Sequence, residues 1–299
     1  MRILVTGATG FLGTHLGREL RRNDKPFAVF VRSLRKARLY QEAGVEICPG
    51  DLLDVSSCER ATRGRDVVVH LAAAADVSDP RVNQRVNVEG LANLLAACRA
   101  SGVGRFVFVS STCAGRERRD AYGETKLQGE ELVKRSGLAF AILRPTMIYG
   151  PGSQEFETFV RVIRSSPIVP LIGSGKSVIQ PVYVGDALRV LLAVTESAAG
   201  LGKTYDLAGA TPVTFDDFVQ LIARTLGLRR RTLLHVPARP VLFAARLLGR
   251  ALTHVPISVD QVLAFLQDTR VDIEPLRRDL GFVPRALDEG LALALTGGA

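Results

Sequence analysis

Met1-Arg-Ile-Leu-Val-Thr-Gly7-Ala8-Thr9-Gly10-Phe11-Leu12-Gly13 opens the chain and decides how the rest is read. Arg2 to Thr6 is a short β-branched run, and a helical pattern covers Leu12 to Arg22. Between them Gly7, Gly10 and Gly13 make a strand-to-helix turn. Each glycine answers a separate demand: an unusual backbone angle, close approach of the main chain to a pyrophosphate, and tight packing of helix on strand. The helix amino terminus then offers unpaired N–H groups and a positive dipole end to phosphates. Glycine spacing alone is a weak signal, but here it stands in the strand and helix context that the motif requires. Gly7, Thr9, Gly10, Phe11, Leu12 and Gly13 are therefore candidate dinucleotide-binding residues.

Outward from this turn, strand-like runs alternate with helical ones up to about residue 150, as in βαβ units on a parallel sheet. The strands are read at Arg2 to Thr6, Pro26 to Arg32, Val45 to Cys48, Asp66 to Leu71, Arg105 to Ser110 and Ala139 to Arg144. They are nearly all apolar, because helices would cover both faces. The helices are read at Leu12 to Arg22, Leu34 to Ala43, Val55 to Thr62, Asn83 to Ala100 and Tyr122 to Ser136. Gly150-Pro151-Gly152 is a double breaker, after which the pattern loses regularity. The expected fold is α/β: a Rossmann doubly wound parallel sheet (residues 1–150, with strands returning from about 178–210) and a smaller C-terminal substrate-binding lobe (151–177 and 211–299). An Ala/Leu-rich helix with a frayed Gly-Gly-Ala tail ends the chain.

The end of the second strand reads Val31-Arg32-Ser33. An acidic residue there would bond the ribose hydroxyls of NAD, whereas a basic one accommodates the extra phosphate of NADP. Arg32, supported by Arg35 and Lys36, makes NADP the expected cofactor ahead of NAD; the plainer reading is a solvated basic helix start.

Composition bounds the rest. A chain of 299 residues, 47% hydrophobic, can bury one large core and an attached lobe. No stretch of about 20 residues is free of charge, since Val241 to Leu252 is broken by Arg246 and Arg250, so no integral membrane segment is expected. The first residues run straight into the glycine turn without a leader pattern, and Cys48, Cys58, Cys98 and Cys113 are far apart and lack C-x-x-C spacing. Reduced, mostly structural thiols in a cytoplasm are the expectation; Cys113 is the exception, since it lies next to the candidate catalytic loop, but a chemical role for it would require a site that lowers its pKa. His15, His70, His235 and His254 lack ligand spacing, so no catalytic metal is expected. The net charge of +9 is carried by scattered arginines with no Trp, which argues against nucleic acid as a partner.

Seven segments in order now resemble one family, the extended short-chain dehydrogenase/reductases with their NAD-dependent epimerase/dehydratase group. They are Thr6 to Gly13, Gly50-Asp51-Leu52, His70-Leu-Ala-Ala73, Asn87-Val-Glu-Gly90, Val109-Ser-Ser111, Tyr122-Gly-Glu-Thr-Lys126 and Leu143 to Pro151. The resemblance implies that Asp51 and Leu52 touch the adenine, that Leu71, Ala72 and Ala73 line the cofactor, and that the segment from Pro145 to Ile148 lies near the nicotinamide. It also implies that Ser111, with Ser110 as its neighbour, bonds the reacting oxygen, that Lys126 holds the cofactor ribose, and that the chain forms a homodimer through two long helices. For Asn87, ordinary helix capping and a role near the site are both open.

Tyr122 and Lys126 stand four apart and so share a helix face. A free tyrosine is a poor base at neutral pH, but a nearby ammonium and the oxidised nicotinamide ring favour its phenolate. Tyr122 can then exchange the proton of a substrate hydroxyl while hydride moves at the ring. Two features depart from the family pattern. The charged stretch Gly115 to Asp120 is shorter than the usual insertion, and Ile179 stands where an arginine often holds a nucleotide-sugar diphosphate. The related group that includes a respiratory complex I subunit commonly has a degraded tyrosine/lysine pair, whereas this chain keeps it.

The sequence therefore implies an enzyme moving hydride to or from a secondary alcohol or ketone, with a nucleotide sugar or a small carbonyl compound as substrate. Its rival is a catalytically silent cofactor-binding assembly protein. Peripheral membrane contact through Pro237 to Pro256 is a further reading, against which a lobe helix covering the substrate cleft is the ordinary one.

Overall fold

A computed structural model provides the structure, and residues 1–75, 79–241 and 267–296 are described. The chain divides into two compact units, the first comprising Met1–Pro145, Ala187–Leu207 and Ile273–Phe282.

The first unit is built on a seven-stranded parallel sheet. Its strands are β1 (Ile3–Thr6), β2 (Phe27–Val31), β3 (Glu46–Pro49), β4 (Val67–His70), β5 (Arg105–Val109), β6 (Phe140–Pro145) and β11 (Lys203–Leu207), in the order β11-β6-β5-β4-β1-β2-β3. The order reverses beside β1, as in doubly wound sheets, so the loops leaving β1 and β4 flank one crevice. Helices α1 (Phe11–Arg22), α2 (Arg38–Glu42), α3 (Val55–Thr62), α4 (Pro80–Gln84), α5 (Gly90–Ala100) and α6 (Ala121–Arg135) connect the strands. The buried faces of α3, α5 and α6 close on Leu4, Val68, Phe106 and Phe108 through Cys58, Ala61, Leu91, Leu94 and Val133. Continuous burial along β1 and β4 explains why these strands read as unbroken apolar runs.

Two connections differ from the sequence expectation. The helix read at Leu34 to Ala43 is a 3₁₀ turn, Arg35–Ala37, followed by α2. The helix read from Asn83 begins earlier, where Asp79 caps it by accepting the Arg81 N–H at 3.0 Å and Pro80 takes a first-turn position that needs no donor. It is then interrupted by one wide π turn, Arg85–Glu89, before α5. Asn87 is therefore no cap, but a buried residue inside that turn.

The second unit comprises Thr146–Asp186, Ala208–Asp272 and Val283–Ala299. It contains β7 (Ile148–Tyr149), α7 (Gln154–Ser165), β8 (Ile168–Ile172), β9 (Val178–Ile179), β10 (Val182–Tyr183), β12 (Val213–Thr214), α9 (Phe215–Thr225), β13 (Thr232–Val236) and a last helix, Leu287–Leu295. Helix α8 (Val184–Glu196) leads out of it. Phe156, Val160 and Ile163 of α7 pack with Phe218 and Ile222 of α9 and with Leu291.

The segment expected to return to the sheet at about 178–210 divides: β9 pairs with β12 and β10 with β7, and only residues 187–207 join the first unit. Residues 273–282, assigned to the lobe from sequence, belong to the first unit instead. There the helix Glu274–Leu280 directs Asp279 onto β11, accepting from Lys203 Nζ at 2.8 Å and from the Tyr205 hydroxyl at 2.9 Å. Most of the segment Pro237 to Pro256, and the last three residues, lie outside the described residues. Among the described residues no helix is long and apolar enough to cross a membrane.

Candidate active site

The glycine turn follows β1, and the requirement for glycine is geometric. Gly7 has φ +69°, and a Cβ there would lie 2.5 Å from the Ala72 nitrogen in the loop after β4. A Cβ on Gly13 would lie 2.2 Å from the Gly7 carbonyl oxygen. Gly10 is different: it is exposed, it caps α1 without a side-chain bond, and the first turn carries no acidic residue. The first amides of α1 are thus left to an outside acceptor, an arrangement that fits a dinucleotide diphosphate. Thr9 is exposed, Phe11 and Leu12 are half-buried, and the Phe11 ring meets His15 edge-on at 5.3 Å.

A brace of this turn escaped the sequence reading. The Tyr40 hydroxyl, from α2, is directed at the carbonyl oxygens of Ala8 and Gly13, at 2.7 and 3.1 Å. Burial pushes the Tyr40 phenol up to about 12, despite the nearby Arg18, so it stays a donor. Gly17 makes the room, since a Cβ there would come within 2.6 Å of the phenol oxygen. That fourth glycine, one turn beyond Gly13, was the available signal.

Arg32 follows β2 and is exposed, as are Arg35 and Lys36. Asp51 turns its carboxylate onto the Leu53 N–H at 2.9 Å. The Leu52 side chain is buried in the core of the unit, where Gly90 leaves space for it, so an adenine contact could fall only to its main chain. Leu71, Ala72 and Ala73 follow β4. The Ala72 N–H donates to the Thr6 hydroxyl at 3.3 Å, and that hydroxyl lies 2.7 Å from His70 Nδ1. His70 is fully buried, and burial, with Lys126 nearby, pulls its pKa down to about 3. Asn87 braces the same loop, accepting from the Ala74 N–H at 2.7 Å and donating to the Ala74 carbonyl at 2.8 Å and to Thr125 at 3.0 Å.

Helix α6 begins at Asp120, whose carboxylate caps the Gly123 N–H at 2.6 Å. One turn apart on it, Tyr122 is half-buried and Lys126 buried. Lys126 Nζ donates to the Val109 carbonyl at 2.7 Å, sits 4.5 Å above the Phe108 ring centre and lies 6.0 Å from that of Tyr122. Burial pulls the Lys126 pKa down to about 7 against the opposing pull of Glu130. The expected lowering of Tyr122 by the ammonium does not occur in the chain itself. Burial drives the phenol upward, and Cys113 and Asp120 add to the effect. The physical reason is that a poorly solvated phenol lies beside groups that turn negative on ionising, while the lysine proton is committed to a carbonyl.

Ser111 caps a 3₁₀ turn, Thr112–Gly115, its oxygen accepting the Cys113 N–H at 3.2 Å and keeping its own proton to donate. Ser110 points elsewhere, donating to Glu130 at 2.6 Å. Thr112, a hydroxyl the sequence reading did not weigh, is buried and lies 3.4 Å from the Pro145 carbonyl. Pro145 ends β6 in the first unit, whereas Ile148 belongs to β7 in the second. The short charged loop is tied down where Arg119 bonds Glu124 at 2.9 Å. Within the first unit, the glycine turn, the Leu71–Ala73 loop, Ser111, Tyr122 and Lys126 all follow the carboxyl ends of β1, β4 and β5, where open α/β sheets bind ligands. In the second unit, Ile179 is buried in an apolar cluster with Val169, Leu171 and Phe215.

Comparison with known proteins agrees with this geometry. The model of the NAD dependent epimerase/dehydratase family matches residues 3–208. The chain is 30% identical to a ceramide reductase of Caulobacter vibrioides, over 85% of this chain and 80% of that one. It is 28% identical to a 2-alkyl-3-oxoalkanoate reductase of Stenotrophomonas maltophilia, over 97% of each. Among solved structures, the UDP-glucose 4-epimerase of Thermus thermophilus in complex with NAD superposes with a TM-score of 0.77 at 25% identity, covering 100% of both chains. The glycine turn, the Tyr122/Lys126 pair and the seven-stranded sheet thus stand in a chain that belongs to the NAD-dependent epimerase/dehydratase family, enzymes of the extended short-chain dehydrogenase/reductase type.

Proposed function

We propose that this enzyme is an NADP(H)-dependent reductase of a ketone on a largely apolar substrate. The observation that carries the substrate class is Ile179: the position expected to hold a diphosphate-binding arginine is an aliphatic side chain sunk in an apolar cluster. A nucleotide-sugar diphosphate would lose a bidentate cation there. Two relatives named as reductases, of ceramide and of a 2-alkyl-3-oxoalkanoate, support the same direction.

Gly7, Gly10 and Gly13 with the first amides of α1 would hold the diphosphate, and Arg32, exposed after β2, would meet the ribose phosphate that distinguishes NADP. When bound, the nicotinamide supplies the hydride. Ser111 donates a hydrogen bond to the carbonyl oxygen, and Tyr122 gives that oxygen its proton. A phenol held protonated by burial is already charged with the proton that a reduction consumes. Lys126 positions the ribose and remains beside Tyr122 to refill the proton. The cytoplasmic location and the homodimer expected from the sequence belong to this proposal.

Calorimetric titration with NADPH and NADH, in the wild type and in Arg32→Asp, tests the cofactor, and consumption of NADPH on a panel of alkyl ketones tests the reaction. The expected result is preference for NADPH that the substitution reverses, followed by turnover of apolar ketones. Sugar-nucleotide epimerisation is the second reading, favoured by the likeness to the Thermus enzyme over the whole of both chains. Tight binding of UDP-glucose, with no net change in cofactor redox state, would decide for it. Cofactor binding with no turnover of either class would leave the silent assembly protein.

A further inference from the structure

Glu130 is completely buried on α6, one turn beyond Lys126. Its oxygens take the Ser110 hydroxyl proton at 2.6 Å and both arms of Arg144, Nε at 2.7 Å and Nη2 at 2.6 Å. Lys134 lies farther off, at 3.9 Å. A buried carboxylate is tolerated only when its lone pairs are satisfied in this way, and a bidentate guanidinium fixes direction as well as distance. The partners are sequence neighbours of the groups assigned to the chemistry: Ser110 precedes Ser111 at the end of β5, and Arg144 precedes Pro145 at the end of β6.

One carboxylate therefore ties two strand ends to the helix that carries Tyr122 and Lys126. We propose that Glu130 is the positioning residue of the site, setting Ser111 against Tyr122 and placing a carboxylate one helical turn from the Lys126 amine. The proposal rests on the reading of Ser111, Tyr122 and Lys126 as the reacting groups. Lys126 faces Tyr122 and Glu130 on its own helix, the Phe108 ring and Val109 carbonyl on β5, and on β4 the neutral His70. Arg144, on β6, is bonded to Glu130. Glu130 is the charge that supports the ammonium against burial.

The test is an NMR titration of the Lys126 side chain, using ¹³C-labelled lysine, alongside the pH profile of kcat on whichever ketone the wild type reduces. In Glu130→Gln the Lys126 midpoint is expected to move down by about one pH unit or more, and the limb of kcat that follows the lysine should move with it. Glu130→Asp, which keeps the charge, should hold both near wild-type positions. Ser110→Ala, which leaves the ion pair intact, should lower kcat about tenfold with no shift of the limb. Where Glu130→Gln fails to fold because the half-buried Arg144 is left without its partner, Glu130→Gln combined with Arg144→Met, read against Arg144→Met alone, isolates the effect of the carboxylate. A Lys126 midpoint that stays put in the charge-removing variant overturns the proposal, as does an unmoved limb in a variant that still turns over. Wild-type protein that reduces no ketone defeats the functional reading, and the NMR midpoint still decides whether Glu130 holds the lysine charge.

Discussion

At Gly7 a side chain is excluded twice, by φ +69° and by the Ala72 nitrogen only 2.5 Å from where a Cβ would sit. Gly7→Ala should cost about 1–2 kcal/mol from the backbone angle alone and should weaken cofactor binding at least about tenfold, as melting and calorimetry would show. Tyr122 presents the opposite case, a side chain whose proposed role needs its proton and not its bulk. Tyr122→Phe should keep the fold and the cofactor affinity while lowering kcat by about 10²–10⁴, the usual span for lost acid–base catalysis; retained kcat would remove the phenol from the mechanism. Both residues were legible in the sequence because their signals are local: a glycine where a strand meets a helix, and two polar residues one helical turn apart. Gly17 signalled only that something approaches α1 closely; that it is Tyr40 was not legible, because its partners Ala8 and Gly13 lie 32 and 27 residues away.

Helices α1 and α6 carry most of the site, and each is begun by a device suited to its task. Gly10 leaves the start of α1 uncapped, whereas Asp120 closes the start of α6 at 2.6 Å. Asp120→Ala should therefore cost about 1 kcal/mol and loosen Tyr122, which urea unfolding and kcat would each register. The π turn between α4 and α5 could not be read from periodicity, since it arises where Asn87 turns inward to bond the main chain of Ala74 and the hydroxyl of Thr125. Asn87→Leu would leave the Ala74 N–H and carbonyl without these partners, at about 1–3 kcal/mol for each unsatisfied group. The loop after β4 should then exchange its amide hydrogens faster than in the wild type, and unchanged protection would count against the brace.

For the whole molecule, two buried basic groups make stability depend on pH in the same direction. Lys126 falls from 10.5 to about 7 on folding, and His70 from 6.5 to about 3. Between each pair of values the unfolded chain holds a proton that the native one has lost, so stability rises with pH through both windows. Urea midpoints should fall as pH drops from about 6.5 towards 3 and climb from about 7 to 10.5, the windows set by these shifts. Lys126→Met should flatten the alkaline rise and raise the melting temperature at neutral pH while abolishing turnover, since burying the ammonium opposes folding. What the sequence by itself determined was the parallel sheet, most of its helical connections and the glycine turn, because their signals lie within one element or across one turn. Only the tertiary structure decided the brace of Tyr40, the place of residues 273–282 beside β11, and the upward push on Tyr122. These depend on what distant segments bring into contact and on how much water they exclude, and spacing along the chain encodes neither.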